Sequence, residues 1–279
     1  MASRKITFIN HMKKLARSLA DHVSTSGDDW SIKGFIDVNR NVYTISSDTK
    51  MISKILEIQL LPKLIEFAHS TGYEIVLPEK QNWYPDLSFV CKKNSNIKFA
   101  VDIKTTYRLA NYKDFCNGFT LGSHGEYFKN RKSTKNVQFP YGDYLGHVVL
   151  GALYTRVDLD HDFGTKNINE LDSITSVITD FLFFAEEKWK IASDKGGSGN
   201  TANIGSIDYI PDVVSGNGAF ANLGENLFDE YWTNRGILEV KDKQTGDFKK
   251  LTKLSEFLEF KGMDPSLLNP PAQKRKNRE

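Results

Sequence analysis

Residues 84–107 read Y-P-D-L-S-F-V-C-K-K-N-S-N-I-K-F-A-V-D-I-K-T-T-Y. Two runs rich in apolar and β-forming residues, 86–91 and 97–107, flank the polar turn 92–96, a pattern that predicts a β-hairpin. Side chains two apart on a strand share a face, so Asp102 and Lys104 point together while Val101 and Ile103 face an apolar layer. Asp86, on the neighbouring strand, can lie across from them. Two carboxylates this close resist ionising unless a cation neutralises them, which makes the pair a candidate site for a hard metal such as magnesium. Lys104 can orient or help deprotonate an attacking water and offset charge on a pentavalent transition state. The combination suits hydrolysis of a phosphodiester.

Around this hairpin the chain alternates helix and strand. Upstream, Met51, Ile52, Ile55, Leu56 and Leu60 recur at helical spacing, with Ser47 or Asp48 as N-cap, Pro62 as an expected kink and Gly72 as C-cap. Ile6, Ile9, Met12, Leu15 and Leu19 mark an earlier helix over 5–24. Short alternating segments near 31–37 and 41–45 suggest a second hairpin, and 73–78 reads as a strand. The apolar stretch 143–158 fits a buried helix or a buried strand, and periodicity does not decide between them. Residues 178–192 read as a buried strand pair around Lys188 and Trp189. The expected class is mixed α/β around one sheet. The expected extent is a single domain over 1–262, followed by a disordered basic tail over 263–279.

Composition narrows the function less than the hairpin does. The chain has 279 residues, 39% of them hydrophobic and 26% charged, with a net charge of only +2, so any nucleic-acid surface must be local. Two cysteines, Cys91 and Cys116, make neither a disulfide framework nor a zinc set. The six histidines lack paired metal-ligand spacing. There is no secretory signal at the N-terminus and no apolar run of membrane-spanning length, which leads to the expectation of a cytoplasmic protein without membrane contact.

Two further features carry open readings. Glu57 lies in the long helix among Ile55, Leu56, Ile58 and Leu60, either solvated or paired, or within reach of a second metal or a bound water. The stretch G-G-S-G-N-T at 196–201 fails as a phosphate cradle, because the lysine that follows such a loop in a P-loop is missing. It reads either as a plain flexible loop or as a recognition loop. In the second reading the glycines admit the backbone to base edges, Asn200 pairs bidentately with adenine and Thr201 offers its methyl to thymine.

Several blocks in fixed order resemble the EcoRV family of type II restriction endonucleases, within the PD-(D/E)xK nuclease superfamily. They are S-D-T-K at 47–50, Q-N-x-Y-P-D at 81–86, D-I-K-T-T-Y at 102–107, F-T-L-G at 119–122, T-K-N at 134–136, Y-T-R-V at 154–157 and G-S-G-N-T-x-N-I-G-S-I at 197–207. The resemblance spans roughly residues 40–235. It implies a restriction-endonuclease-like five-stranded mixed sheet flanked by helices, with a small dimerisation subdomain near 31–45 and 165–176 and a recognition loop at 196–203. It further implies a magnesium-dependent homodimer that cuts both strands of double-stranded DNA. Asp86, Asp102 and Lys104 would form the catalytic centre, with Glu57 as an accessory acid near the metals.

By the same resemblance Gly197, Ser198, Gly199, Asn200 and Thr201 would read bases in the major groove. Gln81 and Asn82 would lie along the minor groove, and Thr106, Lys135 and Asn203 would touch phosphates. The identical core of the base-reading loop implies the palindrome GATATC, cut bluntly at its centre to leave 5′-phosphate ends. Departures fall at Ala202, Lys80 and the stretch 123–133, and the resemblance fades beyond about residue 236. The alternatives are a repair or nicking nuclease sharing the P-D…D-x-K core, or a DNA-binding module whose metal site is inactive.

Overall fold

The computed structural model describes residues 2–157, 164–199, 202–241 and 246–274. In chain order its first elements are α1 (Ala2–Val23), β1 (Gly34–Ile36), β2 (Asn41–Thr44), α2 (Thr49–Thr71), β3 (Tyr73–Val76), β4 (Leu87–Cys91), β5 (Lys98–Tyr107), β6 (Thr120–Ser123) and α3 (Glu126–Lys129). There follow β7 (Tyr144–Arg156), β8 (Thr165–Asn167), β9 (Ile178–Glu187), β10 (Ala192–Gly196), β11 (Asn203–Ser206), α4 (Ile210–Ser215), α5 (Glu225–Asn234), β12 (Glu239–Lys241), β13 (Phe248–Lys250) and α6 (Leu254–Phe260).

The central sheet has five strands in the order β3-β4-β5-β7-β9, with β5 and β7 parallel and the other pairs antiparallel. Each face of this sheet carries its own apolar layer. On one face Phe89, Phe99, Val101 and Ile103 pack with Phe8, Met12 and Leu19 of α1 and with Ile52, Leu56, Leu60 and Leu64 of α2. On the other, Ala100, Val149, Leu153 and Phe184 meet Phe228, Tyr231 and Trp232 of α5 and Phe257 of α6. The period-2 rule therefore holds along β5: odd positions face α1 and α2, and Ala100 lies on the opposite side, the side expected for Asp102 and Lys104.

Stretch 143–158 resolves as a strand, β7. It is buried along nearly its whole length between β5 and β9, and a strand covered on both faces has no polar side to show alternation. Helix α2 begins at its cap Asp48, whose carboxylate accepts from the N–H groups of Lys50 and Met51 at 3.1 and 3.0 Å. It runs through Pro62 without a break and ends at Gly72 in the left-handed conformation (φ 81°).

Two expectations need correction. Residues 178–192 are not a strand pair: β9 pairs with β7 in the central sheet, one turn of 3-10 helix follows at Lys188–Lys190, and β10 pairs with β11 in a separate three-stranded sheet, β10-β11-β6. The described part of the tail, 263–274, is packed instead of disordered. Met263 and Leu268 lie against the second apolar layer, and the Asn269 amide donates to Asn217 Oδ1 at 2.8 Å and to the Gly218 carbonyl at 3.2 Å. The turn at Pro265–Leu267, capped by Asp264, brings Leu268 and Asn269 to these contacts, and Lys274 pairs with Asp208 at 2.7 Å. No helix among the described residues is long and apolar enough to cross a membrane.

Candidate active site

Asp86 immediately precedes β4, and its backbone N–H donates to Asp102 Oδ1 of β5 at 3.2 Å. In return its carboxylate accepts from the Ile103 N–H at 2.8 Å. The two acids thus tie the start of one strand to the middle of the next, and this reciprocal bonding fixes their separation. Lys104 Nζ sits 3.2 Å from Asp102 Oδ2 and 3.7 Å from Asp86 Oδ2. The hairpin reading of the sequence brings together the three residues it named.

The electrostatics follow from this crowding. Burial, and then the neighbouring Asp102 charge, push the Asp86 carboxyl up to about 6 against the pull of Lys104. Burial disfavours the charge on Lys104, yet Asp102 and Asp86 together outweigh it and raise the ammonium above its ordinary range. Lys104 is therefore a firm cation here, poorly suited to act as a base.

Asp86 and Lys104 line a cleft of about 780 Å³, with the buried Asp102 behind them; its walls include Thr49, Lys50 and Glu57 of α2, Gln81 and Asn82 of the loop before Asp86, and Phe119 and Thr120 at β6. Glu57 reaches this cleft but is ion-paired with Lys54 at 2.8 Å, a partner the sequence reading did not name. Among the described residues no group of three or more histidine, cysteine or acidic side chains is already arranged to hold a metal.

A family model described as restriction endonuclease EcoRV matches residues 26–262. The chain belongs to the EcoRV restriction endonuclease family. The type II restriction enzyme EcoRV of Escherichia coli is 36% identical over 222 residues, which cover 79% of this chain and 88% of that enzyme. As an EcoRV-family protein the chain is a site-specific deoxyribonuclease, and its substrate is DNA.

The remaining residues named for this EcoRV-family site are placed unevenly. Gly197, Ser198 and Gly199 lie on the connection between β10 and β11, with Gly199 in the left-handed region (φ 84°) that a side chain would strain. Asn200 and Thr201 lie outside the described residues. Asn203 closes the loop: its amide donates to the Ser198 carbonyl at 2.8 Å, and its own carbonyl accepts from Gly197 N–H at 2.7 Å. One N–H of that amide is thereby engaged within the loop.

Thr106, on the same face of β5 as Asp102 and Lys104, is buried, and its hydroxyl donates to the Asn117 carbonyl. It is not presented to a phosphate. Lys135 is exposed beside Asn136, whose carbonyl accepts from Tyr84 N–H at 3.0 Å, so it stands near the loop that leads into Asp86. A cavity of about 650 Å³ is lined by Lys195, Gly197 and Ser198 at the β10–β11 connection and by Leu268 and Pro270 of the tail.

Sequence reasoning missed the side chains beneath the carboxylates. Tyr84, Tyr127, Tyr141 and His147 stack on one another, and Lys188 Nζ lies among them. A lysine within the apolar run F-L-F-F-A-E-E-K-W was the available signal.

Proposed function

We propose that the chain is a magnesium-dependent type II restriction endonuclease that cuts the palindrome GATATC bluntly at its centre, leaving 5′-phosphate ends. The observation that carries this reading is the Asp86–Asp102–Lys104 cluster on the wall of a cleft shared with Glu57, Gln81 and Asn82. The donor set fits a hard cation: two carboxylates side by side, one of them raised to about 6 by burial and by the charge of the other. Asp86 and Asp102 would hold magnesium, with Glu57 as an accessory carboxylate once released from Lys54. Magnesium, when bound, supplies charge neutralisation at the scissile phosphate.

The chain's own groups have separable tasks. Asp86 and Asp102 orient each other through the two backbone hydrogen bonds, Lys104 faces the charge that builds on the phosphate, and Gln81 and Asn82 border the path of the minor groove. The glycines at 197 and 199 bring the backbone of the recognition loop close to base edges, and Asn200 and Thr201 complete the readout.

A palindrome cut on both strands by a chain with one such centre requires two chains. The surface that suits this role is the small sheet β1-β2-β8, which unites the two segments expected to form a dimerisation subdomain. It exposes Phe35, Ile36, Val38 and Tyr43, with Leu171 alongside.

The test is a supercoiled plasmid with a single GATATC, incubated with the protein and magnesium and, in parallel, with EDTA. The expected product is a linear molecule whose blunt, phosphorylated ends religate, formed only with magnesium. Nicked circles alone would favour a nicking nuclease, and a gel shift without cutting would favour an inactive binding module. Asp102→Ala is expected to keep its fold and lose all cleavage.

A further inference from the structure

Lys188 is 2% exposed, and its ammonium has no hydrogen-bond partner among the described residues. Such a group is costly to bury, and its persistence calls for a reason. Its surroundings are aromatic: Nζ lies 5.2 Å from the Tyr84 ring centre, 5.4 Å from Tyr141 and 5.5 Å from Phe128. Cation–π attraction offsets part of the lost hydration. Its neighbours Glu186 and Glu187 do not neutralise it, since they are paired with Lys13, Lys5 and Lys190.

The ring that links Lys188 to the chemistry is Tyr84, two residues before Asp86. Tyr84 Oη is hydrogen-bonded to His147 Nδ1 at 2.8 Å, and its ring stacks on Tyr127 and Tyr141 at 5.4 and 5.5 Å. Its backbone is held on both sides by the 136–138 segment, through Asn136 O at 3.0 Å and Gln138 N at 2.8 Å. A Cβ on Gly122 of β6 would stand 3.5 Å from Lys188 Nζ and 3.3 Å from Tyr127 Oη, so the backbone of β6 caps the same cage.

We propose that Lys188 is a positioning residue for DNA cleavage, a buried cation that seats the Tyr84 ring and through it fixes Asp86 against Asp102. The proposal rests on the reading of Asp86, Asp102 and Lys104 as the catalytic centre. The charge is consistent with this place. Burial lowers the Lys188 pKa to about 8, with Asp102 pulling the other way, so the ammonium persists at neutral pH within reach of that carboxylate's field. Misplacing a catalytic group by a fraction of an ångström to 1 Å costs up to about a hundredfold in rate.

The experiment compares wild type with Lys188→Met, which keeps the aliphatic stem and its ring contacts while removing the charge. Melting temperature, affinity for a GATATC duplex without metal, and single-turnover cleavage in magnesium are measured on each. The expected result is an equal or higher melting temperature, unchanged duplex affinity, and cleavage about tenfold to a hundredfold slower. Wild-type cleavage overturns the proposal. So does a variant that melts lower or fails to fold, since the ammonium is then a structural support.

A second measurement tests the route. Tyr84→Leu is expected to show a comparable rate loss, and the double variant no more than the larger single loss; multiplying losses overturn the link through Tyr84. Asp102→Ala separates the two levels. If it still cuts, the catalytic assignment falls and this inference with it, whereas an inactive Asp102→Ala beside a fully active Lys188→Met sinks this inference alone.

Discussion

Asp86→Asn should stabilise the metal-free protein while abolishing cleavage. The Asp86 carboxyl titrates near 6 in the folded chain against an ordinary 3.8, because burial and the Asp102 charge disfavour its ionised form. Between those two values the folded state holds a proton that the unfolded state has lost. Stability therefore falls as pH rises from about 4 through 6, and the deficit persists above it. A shift of about two units corresponds to about 3 kcal/mol. With 39% of the side chain open to solvent, screening reduces the recoverable amount to about 1 kcal/mol.

Asparagine keeps an acceptor for the Ile103 N–H at 2.8 Å, so the hairpin link survives the change. A gain of about 1 kcal/mol raises the melting temperature by about 2–4 °C in a chain of this size. The assay is thermal unfolding of both proteins in EDTA at pH 7.5 and at pH 4.5. At the lower pH the wild-type carboxyl is already protonated in the fold, and the gap shrinks to about a third. A lower melting temperature for the variant at pH 7.5, or a gap unchanged by pH, would refute the account of two crowded carboxylates.

Three further outcomes are expected. A Cβ on Gly151, which lies opposite Lys104 on β7, would fall within the Phe184 ring; Gly151→Ala should cost about 1–3 kcal/mol, read as a lower melting temperature, and an unchanged value would contradict the packing. Asp48→Ala removes the cap of α2 and should cost about 1 kcal/mol by denaturant titration, with Asp48→Ser losing far less. Asn200→Ala should erode discrimination at the adenine by about 1–3 kcal/mol, measured as cleavage of GATATC against singly substituted sites; undiminished selectivity would remove Asn200 from the readout.

What the sequence made legible is local. The hairpin around Asp86 and Asp102 follows from alternation and a polar turn, and the α2 boundaries follow from Asp48 and Gly72, because each depends on residues a few positions apart. Partners distant in the chain were not legible. Thr106 reads as available until Asn117 is seen to accept its hydroxyl, and the cage around Lys188 draws on positions 84, 128, 141 and 188. The tail beyond residue 262 looked solvated because its basic end dominates its composition, yet a few apolar residues and Asn269 anchor its first half. Strand β7 was ambiguous for a physical reason, since parallel pairing with β5 buries both of its faces.

In the proposed function, base reading and cutting meet at the crossover between those two parallel strands. Parallel pairing of β5 and β7 forces the chain through a long excursion, and this one carries β6. Thr120 of β6 borders the cleft that holds Asp86 and Lys104, and β6 pairs with β11, the strand leaving the recognition loop. Contact across this junction is close: a Cβ on Gly197 would stand 2.7 Å from Thr120 Cγ2 and 3.3 Å from Asn203 Cβ. Glycine at 197 thus lets the loop sit on the strand that borders the cleft, and in the proposed function it also admits the backbone to base edges. The same strand carries Gly122, whose backbone lies over the Lys188 cage, so the loop, the cleft wall and the cage share β6.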